Sequence, residues 1–494
     1  MATASSFSVR AILEQAREYS RLEMERRVQE SELRLKSLES ALTSLMELRD
    51  RERAVLDMLK YLLSPIYTLP AELLAEVFER AIDAETHIMD VFRVSQVCSD
   101  WRQIAHDTPR LWTRGISVTL DNKGDRREQA HTDGWKAWLA RSAALTIPIA
   151  LRLESADICH DLLGEVLKTA SRWRYLRLDL PDHGLTLIRR LAQHKLDSLE
   201  GLDLEDRDFI EPLGGVIPSF TTAPRLRKLR MGIYSSLPTP ILVPWSNLTD
   251  LTLHHCPTPD LALDVLAPCT GLAMIIVRTS GWLESVLPRS DTLVLAHLDA
   301  LTFVLFGDAK HFTPFFGSLS TPALQRVCVD FAEMRTTEHW TEARFTAFQL
   351  RAPNITWLEL LYADLTSDDF AAAILHAPSL THLKLFRCSC FDDTAITALR
   401  YEDGVAPLAP RLNCLVLEGM LHDVSDDILA SMIASRWWTD TAFASRSDPP
   451  VVARWTHVEL WYDLSEHFLL KDIPSDILIT STRSYPYETV YEFK

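Results

Sequence analysis

The feature that most constrains this 494-residue chain is a recurring unit, apolar-x-x-apolar-x-apolar. It occurs as Trp173-x-x-Leu176-x-Leu178, Leu199-x-x-Leu202-x-Leu204, Leu226-x-x-Leu229-x-Met231 and Leu248-x-x-Leu251-x-Leu253. It continues as Leu272-x-x-Ile275-x-Val277, Leu298-x-x-Leu301-x-Phe303, Leu324-x-x-Val327-x-Val329 and Ile355-x-x-Leu358-x-Leu360. Then follow Leu380-x-x-Leu383-x-Leu385, Leu412-x-x-Leu415-x-Leu417 and a divergent Trp455-x-x-Val458-x-Leu460, with a first copy read at Leu151-x-Leu153. Most steps between copies are 22–27 residues. A unit this short cannot bury its own apolar side, so the copies must stack on one another.

The pattern predicts an α/β chain in which each copy supplies a short strand and a return helix. Helices are expected at 157–170, 185–193, 367–376, 392–399 and 425–434. Two copies end in Cys, at Cys256 and Cys388, and five are introduced by Pro224, Pro322, Pro353, Pro378 and Pro410. Period and signature are those of leucine-rich repeats. Such a solenoid places parallel strands on its concave face and helices on its convex face.

Upstream, residues 10–63 contain neither Pro nor Gly and read as one helix. Heptad positions fall at Val28, Leu35, Leu38, Leu42, Leu45, Leu56, Leu59 and Leu63, with Arg49 and Glu52 interrupting the seam. That is a coiled-coil pattern with a charged gap. Two outcomes stay open: self-association as a homodimer through 28–63, or packing back on the chain's own domain. Ser64-Pro65 ends the helix, because Pro disfavours helical geometry in the residue before it.

Three amphipathic helices are expected next, near 70–83, 89–98 and 99–106. They carry Leu69-Pro70-Ala71-Glu72-Leu73-Leu74-Ala75-Glu76-Val77-Phe78, then Val97-Cys98-Ser99-Asp100-Trp101, then Pro109-Arg110-Leu111-Trp112. This set resembles an F-box. With Leu62-Leu63-Ser64-Pro65-Ile66 ahead of it and Trp138-Leu139-Ala140-Arg141-Ser142 behind, the chain is similar to fungal F-box proteins that begin with a coiled coil and end in degenerate leucine-rich repeats. The resemblance implies a partner, a Skp-type adaptor and through it a cullin. It also implies that Leu69, Pro70, Leu73, Val77, Phe78, Val97 and Trp101 contact or shape the adaptor-facing surface. From the residues alone, Leu73 with Val77 and Leu74 with Phe78 form neighbouring stripes, and which stripe faces a partner is open.

The division that follows is coiled-coil helix 10–63, F-box 64–114, linker 115–145, repeat solenoid 146–463 and tail or cap 464–494. Within the linker, 121–134 reads as an exposed polar loop. In the solenoid, residues between and after the inward positions face the concave side. Early copies offer Arg177, Asp179, Asp203, Glu205 and Asp206. Late copies offer Trp357, Glu359 and Tyr362, then Lys384, Phe386 and Arg387, then Trp461 and Tyr462. Aromatics interleaved with charge are the material of protein interfaces, so an unidentified protein target is expected there. The competing reading is that a tail carrying Phe468, Leu469, Tyr485, Tyr487 and Tyr491 covers them.

Composition excludes other classes. A formal charge of −17 does not suit a nucleic-acid partner. The most apolar stretch, 293–306, is broken by His297 and Asp299, so no membrane span is expected. Eight cysteines without C-x-x-C or zinc spacing suggest reduced thiols in the cytoplasm or nucleus. No G-x-S-x-G, Gly-rich phosphate loop or H-E-x-x-H occurs, so no catalytic site, metal or cofactor is expected. The function implied is a non-enzymatic substrate receptor of a Skp–cullin–F-box ubiquitin ligase. The alternative is a scaffold or coiled-coil assembly protein without a ligase role.

Overall fold

The computed structural model describes residues 21–82, 87–120, 126–153, 158–180, 185–204, 219–233, 241–279, 282, 292–306, 312–331, 342–419, 424–440, 451–461 and 467–480. The chain divides into two units after Asp107.

The first unit opens with helix α1 (Arg21–Leu62). Residues 25–60 are all exposed, so neither the heptad stripe nor any other face of that stretch is covered by the chain itself. A 3-10 turn, Pro65–Thr68, leads into three short helices: α2 (Ala71–Ala81), α3 (His87–Gln96) and α4 (Ser99–His106). The Cys98 sulfur caps α4 by accepting the Trp101 backbone N–H at 3.5 Å. Leu74, Phe78, Val91 and Ala105 are buried, and the Phe78 and Trp101 rings meet at 4.8 Å.

The second unit is built on a parallel sheet, of which fourteen strands lie among the described residues. They are β1 (Ile116–Thr119), β2 (Ile147–Arg152), β3 (Trp173–Asp179), β4 (Gly201–Asp203), β5 (Lys228–Gly232), β6 (Asp250–His254) and β7 (Met274–Thr279). After a short β8 (Leu293–Val294) come β9 (Ala300–Leu305), β10 (Leu319–Ser320), β11 (Arg326–Asp330) and β12 (Trp357–Leu361). The sheet ends with β13 (His382–Phe386), β14 (Cys414–Glu418), β15 (His457–Leu460) and β16 (Leu478–Thr480). Strands β8 and β10 pair separately with each other. Return helices include His160–Leu167, Leu185–Ala192, Ser367–Leu375, Asp393–Leu399 and Asp426–Ser435. This is the arrangement of a leucine-rich-repeat solenoid.

The central apolar residue of each copy sits opposite that of the next. Leu176 faces Leu202, Leu229 faces Leu251, Val327 faces Leu358, and Leu415 faces Val458. The first copy differs from the sequence reading. Ile149, not Leu151, lies opposite Leu176, and Leu151 faces Leu178. The inward alternation of β2 is the same for both assignments, so a two-residue slip leaves no trace in the apolar pattern.

One carbonyl per repeat receives two N–H donors from the next. Glu200 accepts from Arg227 and Lys228, Thr249 from Ala273 and Met274, and Gln325 from Thr356 and Trp357, all at 2.8–3.0 Å. Thr356 and Thr381 repeat the pattern, and Asn413 accepts from Thr456 and His457 at 2.8 and 3.2 Å. Behind the sheet, Trp282, Phe303, Phe315, Phe316, Phe345 and Phe348 form a continuous run of ring contacts at 4.8–6.0 Å.

The segment expected as a linker, 115–145, is structured. It carries β1, which pairs with β2, and helix Arg126–Arg141 across most of the expected polar loop. Its helical side is largely polar, but Trp138 and Leu139 are buried, and Trp138 packs 4.8 Å from Trp112. At the other end, the described part of the tail does not fold over β12 and β13. It adds β16 beside β15 and buries Leu470, leaving Phe468 exposed. Tyr485, Tyr487 and Tyr491 lie outside the described residues.

Three arginines tie helix ends across repeats. Arg172 donates to the Leu139 and Leu145 carbonyls, and Arg351 to those of Phe316, Gly317 and Leu319. Arg436, fully buried, donates to Leu399, Leu408 and Ala409 at 2.6–3.1 Å. Helix C-termini leave carbonyls without intrahelical partners, and the fork of a guanidinium can satisfy several at once. Burial lowers the pKa of Arg436 to about 10, which leaves it charged at neutral pH. Arg436→Ala should destabilise the chain by about 2–3 kcal/mol, since it strands buried carbonyls. Denaturant unfolding reads this directly, and an unchanged midpoint would refute the clamp.

Candidate functional site

Helix α2 buries one of its two neighbouring apolar stripes and exposes the other. Leu74 and Phe78 are buried at 4% and 1% exposure, whereas Leu73 and Val77 stand at 49% and 46%. Leu69 and Pro70 are exposed at the helix entry, and Val97 is exposed at 57%. Phe78 therefore belongs to the core rather than to a contact surface, and Trp101, half-buried against it, supports that core. The i, i+4 spacing placed Phe78 and Val77 on adjacent stripes, and only packing could separate them. Two further apolar side chains, Met89 and Phe92, are exposed on α3. Their i, i+3 spacing on a short helix was the available signal.

The late strands bring Trp357, Glu359 and Lys384 into one ladder. Trp357, His382, Cys414 and His457 form one rung, and Glu359, Lys384, Val416 and Glu459 the rung two residues on. Trp357 stacks on His382 with centroids 4.6 Å apart and planes at 14°. Lys384 bonds Glu359 at 2.6 Å, the cross-strand opposite-charge pairing that stabilises sheet faces. Phe386 departs from the expectation. It is buried with Cys328 and Leu361, and the edge of Tyr362 packs against it at 4.9 Å. Tyr362 and Arg387 each follow a strand end in left-handed backbone, with φ of 53° and 49°. His255 after β6 and Gly419 after β14 share that corner, so it is a turn of the repeat. At Arg387 the turn swings the guanidinium over the Phe386 ring, 5.4 Å from its centroid. Trp461 is half-buried just after β15, and Tyr462 lies outside the described residues.

The early strands are more closed than their composition suggested. Asp203 is buried between Arg177 and Arg230, at 4.0 and 3.8 Å, and Asp179 pairs with Arg152 at 2.7 Å. Glu205 and Asp206 lie outside the described residues. Cys256 and Cys388 are buried at the repeat turn, their thiols directed at the Thr258 and Leu360 carbonyls. No cluster of three metal-ligating side chains occurs among the described residues. All eight cysteines are free thiols. No helix among the described residues is long and apolar enough to cross a membrane.

A family model described as F-box-like matches residues 66–115. No curated protein matches the chain. Among solved structures it is similar to a chain of "Structure of the Toll - Spatzle complex, a molecular hub in Drosophila development and innate immunity". The identity is 13% and the TM-score 0.28, over 72% of this chain and 49% of that one. The chain thus spans about half the length of that structure's chain. It carries an F-box-like domain followed by a leucine-rich-repeat-like sheet.

Glu418 ends the rung that runs through Asp330, Leu361 and Phe386. Burial holds its carboxyl above the ordinary 4.5, Lys384 opposes that shift, and Glu459 adds to it. A carboxyl that holds its proton more tightly when folded loses stability as pH rises from about 4.5 through its folded pKa. Glu418→Gln should therefore raise stability at neutral pH, and the gain should vanish in acid. Unfolding midpoints at pH 7 and pH 4 test this, with equal midpoints at pH 7 counting against it.

Proposed function

We propose that the chain is the substrate-recognition subunit of a Skp–cullin–F-box type ubiquitin ligase in the cytoplasm or nucleus. In this reading the F-box-like domain docks a Skp-type adaptor, which links it to a cullin, and the repeats hold a protein target. The observation that carries it is the outward stripe of α2. Leu73 and Val77 are half-exposed on a helix whose neighbouring stripe, Leu74 and Phe78, already closes the domain core. An apolar helix face of this kind fits a hydrophobic groove on a partner. Leu69, Pro70 and Val97 are exposed apolar residues of the same domain and belong to the docking set. No catalytic group is needed, since ubiquitin transfer would be performed by other subunits.

For the target, Trp357, Glu359, Lys384, Arg387 and Trp461 are the contact residues, with Tyr362 oriented by its packing on Phe386. Aromatic and arginine side chains dominate binding energy where they become fully desolvated. This reading takes no nucleic acid, membrane or cofactor as partner.

Leu73→Asp/Val77→Asp should weaken co-purification with a Skp-type adaptor by roughly tenfold or more while leaving the fold intact. Phe78→Ala should instead unfold the domain, at a cost of about 3–5 kcal/mol. Retained adaptor binding in the folded double variant would overturn the docking assignment. On the repeats, Trp357→Ala/Trp461→Ala should abolish capture of targets found by proximity labelling. Phe386→Ala should lower the melting temperature first. Target levels that do not rise when the F-box-like domain is deleted would favour a scaffold over a ligase subunit.

A further inference from the structure

Helix α1, with Leu63 continuing its last turn, carries a bare apolar stripe: Leu38, Leu42, Leu45, Leu56, Leu59 and Leu63 are each 50–81% exposed. Two charged residues, Arg49 and Glu52, stand in the middle of that stripe and are exposed as well. Any partner that covers the leucines must also accommodate both charges. Which arrangement does so can be derived from the heptad positions alone.

In a parallel pair, like positions face each other. Arg49 would meet Arg49 of a second copy, and Glu52 would meet Glu52, one turn apart in the seam. In an antiparallel pair, first-type positions face fourth-type positions. One antiparallel register places Arg49 opposite Glu52 of the second copy, and Glu52 opposite its Arg49. The same register places Leu38 opposite Leu63, Leu42 opposite Leu59, and Leu45 opposite Leu56, on both sides of the centre. Sliding by one heptad in either direction sets leucine against Arg49 or Glu52. At the flanks, Leu48 meets Val55, both about half exposed in the single chain, and Glu39 meets Lys60. The parallel alternative gains Arg27 with Glu32 and Arg34 with Glu39 at its rim. Exposed rim pairs contribute little, whereas like charges in a seam oppose association.

We infer that α1 is an antiparallel homodimerisation helix, centred between Asp50 and Arg51, whose occupant is α1 of a second copy. The Arg49–Glu52 pairs select the orientation and register, as single polar seam residues do in coiled coils. At present Arg49 bonds Asp50 of its own helix at 2.7 Å, with both side chains more than half exposed. Such an exposed contact is readily exchanged. The overlap runs from Leu38 to Leu63, about 39 Å at about 1.5 Å per residue. The two α2 helices then begin at opposite ends of the pair, so each copy's F-box-like domain is clear of the other's. The inference does not depend on whether that domain binds an adaptor.

The test uses the full chain. Sedimentation equilibrium should show a dimer. Arg49→Glu and Glu52→Arg singly should each raise the dissociation constant by roughly tenfold or more. The double variant R49E/E52R should restore it to within about threefold. A parallel dimer would be insensitive to the single changes, because it exchanges one like pair for another, and that result overturns the inference. A monomeric wild-type chain also overturns it. A spin label at Gln29→Cys, in a Cys98→Ser background that keeps a capping oxygen, reads the orientation. Antiparallel pairing sets the two labels about 65 Å apart. A separation below about 25 Å, as a parallel pair requires, refutes it.

Discussion

The repeat array depends on one hydrogen-bonding arrangement, the carbonyl at each strand entrance that accepts two N–H groups from the next copy. From Glu200 to Asn413 this contact fixes where every strand begins relative to its neighbour. Once the entrance is fixed, the apolar residues three and five positions after the copy's first leucine fall opposite their counterparts. The side chains on the other face then line up in rungs without further adjustment. Trp357 over His382 and Lys384 beside Glu359 follow from that register rather than from any affinity of those residues for each other. The candidate target surface is in this sense a by-product of backbone pairing. It can vary from repeat to repeat because the pairing does not involve it.

That separation explains what could be read in advance. The inward positions repeat because each must fill the same space, so the strands centred from Leu176 to Val458, their direction and their register were legible, whereas β8, β10 and β16 carry no such copy. The helices at 185–192 and 367–375 were legible for the same reason, their apolar stripes having one sheet to face. Where the constraint relaxes, the sequence loses its voice. Residues 115–145 look like a polar connection because the apolar side chains that helix Arg126–Arg141 buries among its described residues are few, Trp138 and Leu139 foremost. Phe386 was misjudged for a related reason. It lies just past the second inward leucine of its copy, where the chain is about to turn, and the left-handed corner at Arg387 rolls it into the core.

The F-box-like domain poses the opposite problem. It has too few residues for periodicity to say which of two adjacent stripes faces inward. Leu73, Leu74, Val77 and Phe78 are all plausible core residues by type. The structure decides by packing: Phe78 fills the space beside Trp101, and Leu74, one turn before it on the same stripe, joins it in the core. Leu73, identical to Leu74 in volume, and Val77 lie on the flanking stripe and are left outside. A small domain that leaves two branched aliphatics outside gains nothing in stability from them. Their exposure is what the proposed docking role requires.

The same reasoning applies to charge in apolar places, which this chain uses in two distinct ways. Arg436 is charged, buried and surrounded by carbonyls of its own fold, so its desolvation is offset within one molecule. Arg49 and Glu52 sit in an apolar stripe but remain in water, so nothing is yet offset. A charge inside a hydrophobic seam is tolerated only where an opposite charge arrives with the covering surface. On a single helix the two lie three residues apart on one exposed face, where a pair between them would contribute only a few tenths of a kcal/mol. The complementary surface must therefore present glutamate where this one has arginine, and arginine where it has glutamate, in reverse order along its length. A second copy of the helix, turned end for end, presents that order with its leucines already in register.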